Sequence, residues 1–238
     1  MLLNFKKAMS LIIPWMKQII QTYVPKQYLP ISQSLSSLKK NLRKDMKIKH
    51  ALLSAENVQE QSDLVTAQMK SFLNSDVIGQ GAISIYLPMQ GRPEISTWKI
   101  IDFLFSHHFR VCVPTVFGQS HTDMAMLQAP CFDDLISLPL DKWKIPIPKS
   151  DWSVVADYEI SVIVFPCVAI GRDGRRLGHG KGYYDCFSQR VTKARAKRGL
   201  SPPLFIGLVL DQQLLPERIV PVNDLDSILH YIISPSQV

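Results

Sequence analysis

Apolar positions along the chain recur with two periods, and their succession predicts alternating helices and strands. Leu38, Leu42 and Met46 repeat every four residues beside a strip of Lys39, Arg43 and Lys47, the pattern of an amphipathic helix. Ser54 followed by Glu56 marks the start of a second helix, whose buried stripe is Val58, Val65, Met69 and Phe72. Residues 81–88 alternate, with Ile83, Ile85 and Leu87 on one side, and predict a strand. Ser96 or Thr97 then opens a helix carrying Ile100, Ile101, Leu104 and Phe105. A short strand is expected from Phe109 to Val113, followed by Pro114, and the segment His121 to Leu127 alternates again. Ile160 to Phe165 is almost wholly apolar and predicts a strand buried on both faces. Tyr183 to about Lys197 contains neither Gly nor Pro and can be helical, and Leu204–Leu210 and Ile228–Ile233 predict further strands. Such alternation with short connections implies an α/β fold: a single three-layer domain, residues 38–238, with a mainly parallel sheet flanked by helices.

Residues 1–37 break from this pattern. They contain no acidic residue and no Arg, only Lys6, Lys7, Lys17 and Lys26 among many apolar side chains, and Pro14 interrupts the one amphipathic run. The run is too short and broken for a membrane-spanning helix, and it lacks the form of a signal peptide. An interfacial helix, an organellar presequence and a start codon placed too early remain open for this extension.

Composition narrows the function classes. The 238 residues are 46% hydrophobic and 20% charged, ordinary for a globular chain. A net charge of +7 suits polyanionic small molecules or nucleic acid, and the run of Arg190, Lys193, Arg195, Lys197 and Arg198 reads as a solvated helix end. The four cysteines form no C-x-x-C pair and have no His at zinc-ligand spacing, so no structural metal is expected.

The candidate chemistry lies between the apolar strand at 160–165 and the helix at 183. In the run Arg175 to Asp185, three glycines alternate with His179 and Lys181, so the backbone can turn sharply and approach a ligand. A strand, a basic glycine loop and a helix start together form an anion site: free N–H groups and the helix dipole point at the loop. Asp185, on the first helical turn, suits a metal ion bridging phosphates. The loop is not a Walker loop, which needs four residues before its Gly-Lys and then Ser or Thr; here Gly174 to Gly180 leaves five and Gly182 follows Lys181. Nor is it the G-x-G-x-x-G dinucleotide fingerprint.

The string R-L-G-x-G-x-G-Y-Y-D, from Arg176 to Asp185, resembles the signature of the 5-formyltetrahydrofolate cyclo-ligase (5,10-methenyltetrahydrofolate synthetase) family. The resemblance extends from about Lys39 to His230. The K-x-x-L-R pattern of Lys39, Lys40, Asn41, Leu42 and Arg43 is similar to the family's amino-terminal nucleotide-binding element. With it, the resemblance implies ATP binding by Arg176, Leu177, Gly178, His179, Gly180, Lys181, Gly182, Tyr183 and Tyr184. Lys181 and Arg176 would act on the transferred phosphoryl group. Asp185 and Asp224 would hold Mg2+, with Asp226 matching a later acid of the closing loop. For the folate, the resemblance points to Leu87, Met89, Glu94, Trp143 and Tyr183.

Four residues depart from the family pattern: Cys167, Ile170 and Gly171 stand where relatives carry Gly, an aromatic residue and Asp, and Ile147 where many carry Glu or Gln. The implied reaction is ATP-dependent conversion of 5-formyltetrahydrofolate to 5,10-methenyltetrahydrofolate with release of ADP and phosphate. A family-fold protein with weakened turnover and a basic nucleic-acid-binding protein are the alternatives. The expected partners are ATP and 5-formyltetrahydrofolate, with no nucleic acid and no transmembrane span. A monomer is expected in the cytoplasm, or in the mitochondrion if residues 1–37 are a presequence.

Overall fold

A central sheet sandwiched between helices positions everything that follows. The computed structural model describes residues 34–73 and 81–236, so the readings offered for residues 1–33 lie outside the described residues. The chain divides between Ser37 and Leu38, and the unit that begins at Leu38 is described here. Helices α1 (Leu35–His50) and α2 (Ala55–Leu73) come first, then β1 (Ala82–Ser84), α3 (Trp98–Ser106), β2 (Val111–Val116), β3 (Met124–Gln128) and α4 (Phe132–Ile136). They are followed by β4 (Ile160–Phe165), β5 (Ala169–Gly171), β6 (Arg176–Leu177), α5 (Tyr183–Ala196), β7 (Leu204–Leu208), β8 (Leu214–Leu215) and β9 (Tyr231–Ile233).

Six strands form the main sheet in the order β3-β2-β1-β4-β7-β9. All neighbours run parallel except the edge pair β2–β3, which is antiparallel. On one face, Val65 and Met69 of α2, Ile100, Ile101 and Leu104 of α3 and Leu135 of α4 pack on Val162, Val164, Ile206 and Leu208. On the other, Phe187 and Val191 of α5 pack on Ile163, Phe165, Cys112 and Met126. Alternate residues of β4 therefore enter opposite cores, which is why its six positions are all buried and all but one are large and apolar. The expected mainly parallel α/β sheet flanked by helices is the architecture found.

Several local expectations change. The stretch after Gly81 does not present one apolar side: Ala82, Ser84 and Tyr86 are as buried as Ile83, Ile85 and Leu87. Lying between β2 and β4, it has helices over both faces, so no solvent side exists to keep polar. Pro114 does not end β2, which continues to Val116. It sits beyond the β1 pairing, opposite Met126 of the edge strand, where a missing N–H is tolerated. Ser54 does cap α2, accepting from the Asn57 N–H at 3.2 Å. Thr97 instead precedes α3 without a side-chain cap, its hydroxyl donating to the Tyr86 carbonyl at 2.8 Å.

The basic run at 190–198 is solvated only in part: Lys193, Lys197 and Arg198 are exposed, but its three arginines also have partners. Arg190 donates to Asp157 at 2.7 Å and to the Met124 carbonyl at 2.8 Å. Arg195 is buried and donates to the carbonyls of Ser201, Tyr158 and Ile160. Arg198 stacks over the Tyr158 ring at 3.6 Å. These three guanidiniums fasten the middle and end of α5 to residues 157–160.

A second, three-stranded sheet of order β6-β5-β8 sits beside the first. Leu42 and Met46 of α1 pack on its Ala169, Leu177 and Leu215, with Val168 and Val220. This small core brings α1 to the glycine loop, about 135 residues away in sequence.

Candidate functional site

The apolar stripe of α1 is buried, so its adjacent strip of Lys39 and Arg43 must face along the small sheet toward the loop that leaves β6. Arg43 Nε donates to the Gly178 carbonyl at 2.8 Å. Lys39 Nζ donates to both carboxylate oxygens of Asp226, at 2.6 and 2.5 Å, and both side chains are largely buried. Leu42 belongs to the core, whereas Lys40 and Asn41 lie on the exposed side of α1.

The glycine loop enters α5 through Gly182, whose φ of +74° is left-handed and strained for any residue with a Cβ. Behind the loop, the Arg176 guanidinium is almost fully buried. It donates to Asp185 Oδ1 at 2.8 Å and to the Pro166 carbonyl at 3.2 Å, and lies 5.0 Å over the Phe165 ring. Its Nε is buried without a hydrogen-bond partner. Asp185 Oδ1 also accepts the Ser227 N–H at 3.1 Å. Lys181 is exposed at the tip of the loop, with no partner among the described residues.

Two histidines flank the same loop. Burial lowers the pKa of His179, and the charges of Arg43, Arg176 and Arg92 lower it further. His50, on the last turn of α1, is lowered by its own burial and then by His179, and its Nε2 is buried without a partner. Both effects disfavour imidazolium in a loop already crowded with guanidinium groups.

Asp185 and Asp226 meet at Ser227, which follows one in sequence and donates its N–H to the other. A magnesium ion characteristically takes one or two carboxylates from a protein and completes its octahedron with phosphate oxygens and water. This donor set fits such an ion, one that arrives with a nucleotide. Among the described residues there is no group of three or more His, Cys, Asp and Glu side chains suited to a resident metal. Asp224 stands apart: it is exposed and has no hydrogen bond or ion pair among the described residues.

The loop after β1 forms a second part of the site. Glu94 is buried, and Oε2 accepts the Met89 N–H at 3.0 Å. Burial pushes its pKa up to about 7, against the opposing pull of that N–H. Met89 and Glu94 line a groove of about 360 Å3 together with Val58, Ser62, Arg92 and Trp98. Leu87 is buried in the main core. Trp143 is 58% exposed on a turn whose Lys144 carbonyl accepts the Gln90 N–H at 3.1 Å, so the turn is tied to this loop. Tyr183 packs against the α5-side core, as does Tyr184, whose ring lies 5.4 Å from Phe165 and whose buried hydroxyl has no partner. Burial, and then the nearby Glu94, raise the Tyr184 pKa, which ties the start of α5 electrostatically to the β1 loop.

Among the departures, Cys167 does not require a glycine's backbone: the non-glycine residues with positive φ are His108, Lys144 and Arg218 among those described. Burial pushes its thiol up to about 12, which leaves it a small core residue rather than a nucleophile. At Gly171 a Cβ would stand only 2.5 Å from Asp173 Oδ1. Asp173 fills that space and ties the turn together, accepting the backbone N–H groups of Arg218 at 2.8 Å and Arg175 at 3.4 Å and forming an ion pair with Arg175 Nε at 3.3 Å.

Two neighbours of the site carry no signal in the sequence. His121, from the β2–β3 connection, lies against Gly182, where a Cβ would be 3.6 Å from its own. Arg92 is close enough to act on His179. Both are brought in by tertiary packing from about 61 and 87 positions upstream of the residues they meet.

The pattern of the 5-formyltetrahydrofolate cyclo-ligase family matches residues 35–235. A Schizosaccharomyces pombe protein named probable 5-formyltetrahydrofolate cyclo-ligase is 33% identical over 159 residues, 66% of this chain and 76% of its own. One from Caenorhabditis elegans with the same name is 30% identical over 206 residues, 84% of this chain and 94% of its own. The solved structure of Aquifex aeolicus 5,10-methenyltetrahydrofolate synthetase has the same fold, with a TM-score of 0.65 at 22% identity over 84% of this chain and 91% of that one.

Proposed function

The chain belongs to the 5-formyltetrahydrofolate cyclo-ligase family, and on that premise we propose how its residues carry out the ATP-dependent conversion of 5-formyltetrahydrofolate to 5,10-methenyltetrahydrofolate. The observation that carries the reading is the convergence of Lys39, Arg43, Arg176 and the glycine loop on one cradle, with Asp185 and Asp226 beside it.

Cyclisation in water is slow because a formamide oxygen is a poor leaving group. In the reaction, that oxygen attacks the γ-phosphorus and ADP departs. The substrate's own N10 then bonds to the activated formyl carbon and gives up its proton to the departing phosphate as the C–O bond breaks. The protein supplies position and charge neutralisation, and needs no nucleophile of its own.

Lys181, Lys39 and Arg43 neutralise the phosphates, while N–H groups of residues 178–182 and the amino end of α5 offer donors to them. Arg176 works from beneath: its buried guanidinium holds Asp185 and braces the loop. Asp185 and Asp226 would hold Mg2+, which would supply charge neutralisation to the nucleotide's phosphates. Asp226 takes this role in preference to Asp224 because it already sits beside Lys39.

The folate occupies the groove at Met89 and Glu94, with Trp143 on the adjoining turn and Tyr183 at the start of α5. Glu94 accepts from N–H groups of the pterin. The test is turnover by the purified chain: methenyl absorbance should appear only with ATP, Mg2+ and 5-formyltetrahydrofolate together, with one ADP per product. Absorbance independent of ATP, or ADP released without it, would contradict the reading. No helix among the described residues is long and apolar enough to cross a membrane; we place the reaction in the cytoplasm, or in the mitochondrion if the extension is a presequence.

A further inference from the structure

The positive charge of the chain is concentrated at one end. Residues 1–50 hold nine Lys, one Arg and a single acid, Asp45, a net +9; the whole chain is +7, so everything after His50 is net −2. An asymmetry of that kind marks a chain end that meets a polyanion or a membrane surface. Lys39 and Arg43 account for part of it at the phosphate cradle. The remaining lysines take no part in that cradle.

Helix α1 carries some of them on a second side. Lys40, Lys44, Lys47 and Ile48 recur at i, i+4, i+7 and i+8, which sets them on one stripe opposite the buried Leu42 and Met46. All four are exposed, Ile48 by 60%, and the three ammonium groups have no hydrogen bond or ion pair among the described residues. The turn after the helix is fixed by backbone hydrogen bonds from Ala51, Leu52 and Leu53 to the carbonyls of Lys47, Lys49 and His50. That turn packs Leu53 against the main core and leaves Leu52 83% exposed. Two aliphatic side chains are thus held in water beside unpaired ammonium groups, at a cost that burial would remove.

We propose that this side of α1 rests on an anionic bilayer, with its lysines among the headgroups and Ile48 and Leu52 at the acyl boundary. Lysines beside exposed aliphatic side chains are the composition of an interfacial face, and each lysine near an anionic surface adds attraction. Single-stranded nucleic acid would call for aromatic rings on which bases stack, and the stripe has none. A second copy of the chain would bring the same positive charge against it. The sequence that leads into the helix has matching composition: residues 1–37 contain four Lys, no acid and many apolar side chains. This surface is separate from the cradle and does not depend on how the cradle is read.

Flotation of the full chain with lipid vesicles tests it, using phosphatidylcholine alone and phosphatidylcholine with about one third phosphatidylserine. The chain should bind the anionic vesicles at least about tenfold better than the neutral ones, and high salt should erase the preference. Two variants are compared, the double substitution Lys44→Glu with Lys47→Glu, and Leu52→Ser alone. Each should weaken anionic-vesicle binding at least about fivefold, roughly the worth of one lysine at such a surface, with the melting temperature near wild type. Should the charge-reversed variant not fold, the exposed Leu52 substitution still gives the comparison. A wild type that does not float, or that binds neutral vesicles equally well, would overturn the proposal. Variants that bind like wild type would also overturn it and assign the membrane to residues 1–37 alone. Tighter capture of a fluorescent single-stranded RNA than of the vesicles would overturn it in favour of nucleic acid.

Discussion

Lys39 and Asp226, 187 positions apart, form a two-pronged ion pair with both side chains largely buried. Arg176 and Asp185 make a second pair at the same cradle, through a single contact at 2.8 Å between a buried guanidinium and a partly exposed carboxylate. In the free protein, then, each acid proposed for the metal is already neutralised by a cation from the phosphate cradle. A divalent ion arriving alone must displace a charge from a well-made contact. One arriving with phosphates offers Lys39 a replacement partner. Mn2+ followed by paramagnetic resonance should therefore bind at least about tenfold more tightly with ADP than without, a coupling of roughly 1.4 kcal/mol. Lys39→Met should tighten Mn2+ alone and shrink that coupling. Equal Mn2+ affinity with and without ADP would contradict the exchange.

Asp185→Asn separates a structural acid from a metal-holding one. The variant keeps an acceptor for the Ser227 N–H but leaves the buried Arg176 charge without its counter-ion. Breaking a buried pair costs several kcal/mol, about 3–5 in closed sites, and the partial exposure of Asp185 puts this one toward the lower end. The melting temperature should fall by several degrees. If Asp185 also holds the metal, turnover falls at least about tenfold and the magnesium requirement rises. Superimposable magnesium curves for variant and wild type would leave Asp185 as Arg176's partner only.

Glu94 predicts a pH dependence with a definite sign. Its pKa is raised from 4.5 to about 7 by burial, so between those values the folded protein binds more protons than the unfolded chain. Stability therefore declines as pH rises from about 4.5 to 7, by on the order of 3 kcal/mol if Glu94 acts alone. Folate binding should run the other way, because pterin N–H donors prefer the carboxylate: affinity should fall as pH drops below about 7. Glu94→Gln should flatten both profiles. An unchanged folate profile in that variant would remove Glu94 from the pterin contact.

Lys181 is exposed and carries a charge that no described residue engages, so its removal should touch ligand and not fold. Lys181→Ala should raise the ATP KM and lower kcat, by roughly 1.5–3 kcal/mol combined for a charge-assisted contact. Folate KM and melting temperature should stay near wild type. Equal effects on both substrates would argue that the loop is misassigned.

Much of this was legible in residue order, because it was local. The β4 run, the cap at Ser54 and the glycine-rich turn into α5 each depend on neighbours a few positions away. What sequence reasoning lost was the environment created by packing. Ala82, Ser84 and Tyr86 look like a polar or neutral face until β2 and β4 flank them. Arg190, Arg195 and Arg198 look like a solvated patch until α5 docks on residues 157–160. In the candidate site, spacing could offer both Asp224 and Asp226, and only the approach of α1 distinguishes the acid beside Lys39 from the exposed one. His121 and Arg92 were invisible for the same reason: no motif encodes a contact made by a distant loop.

The central claim is that this cradle transfers the γ-phosphoryl group to the formyl oxygen. Turnover with substrate carrying oxygen-18 in the formyl group reads it directly, through the mass of the released phosphate. The account predicts one labelled oxygen in each phosphate and none in ADP. Unlabelled phosphate, with the label recovered in water, would mean that ATP is hydrolysed separately from cyclisation and would contradict it.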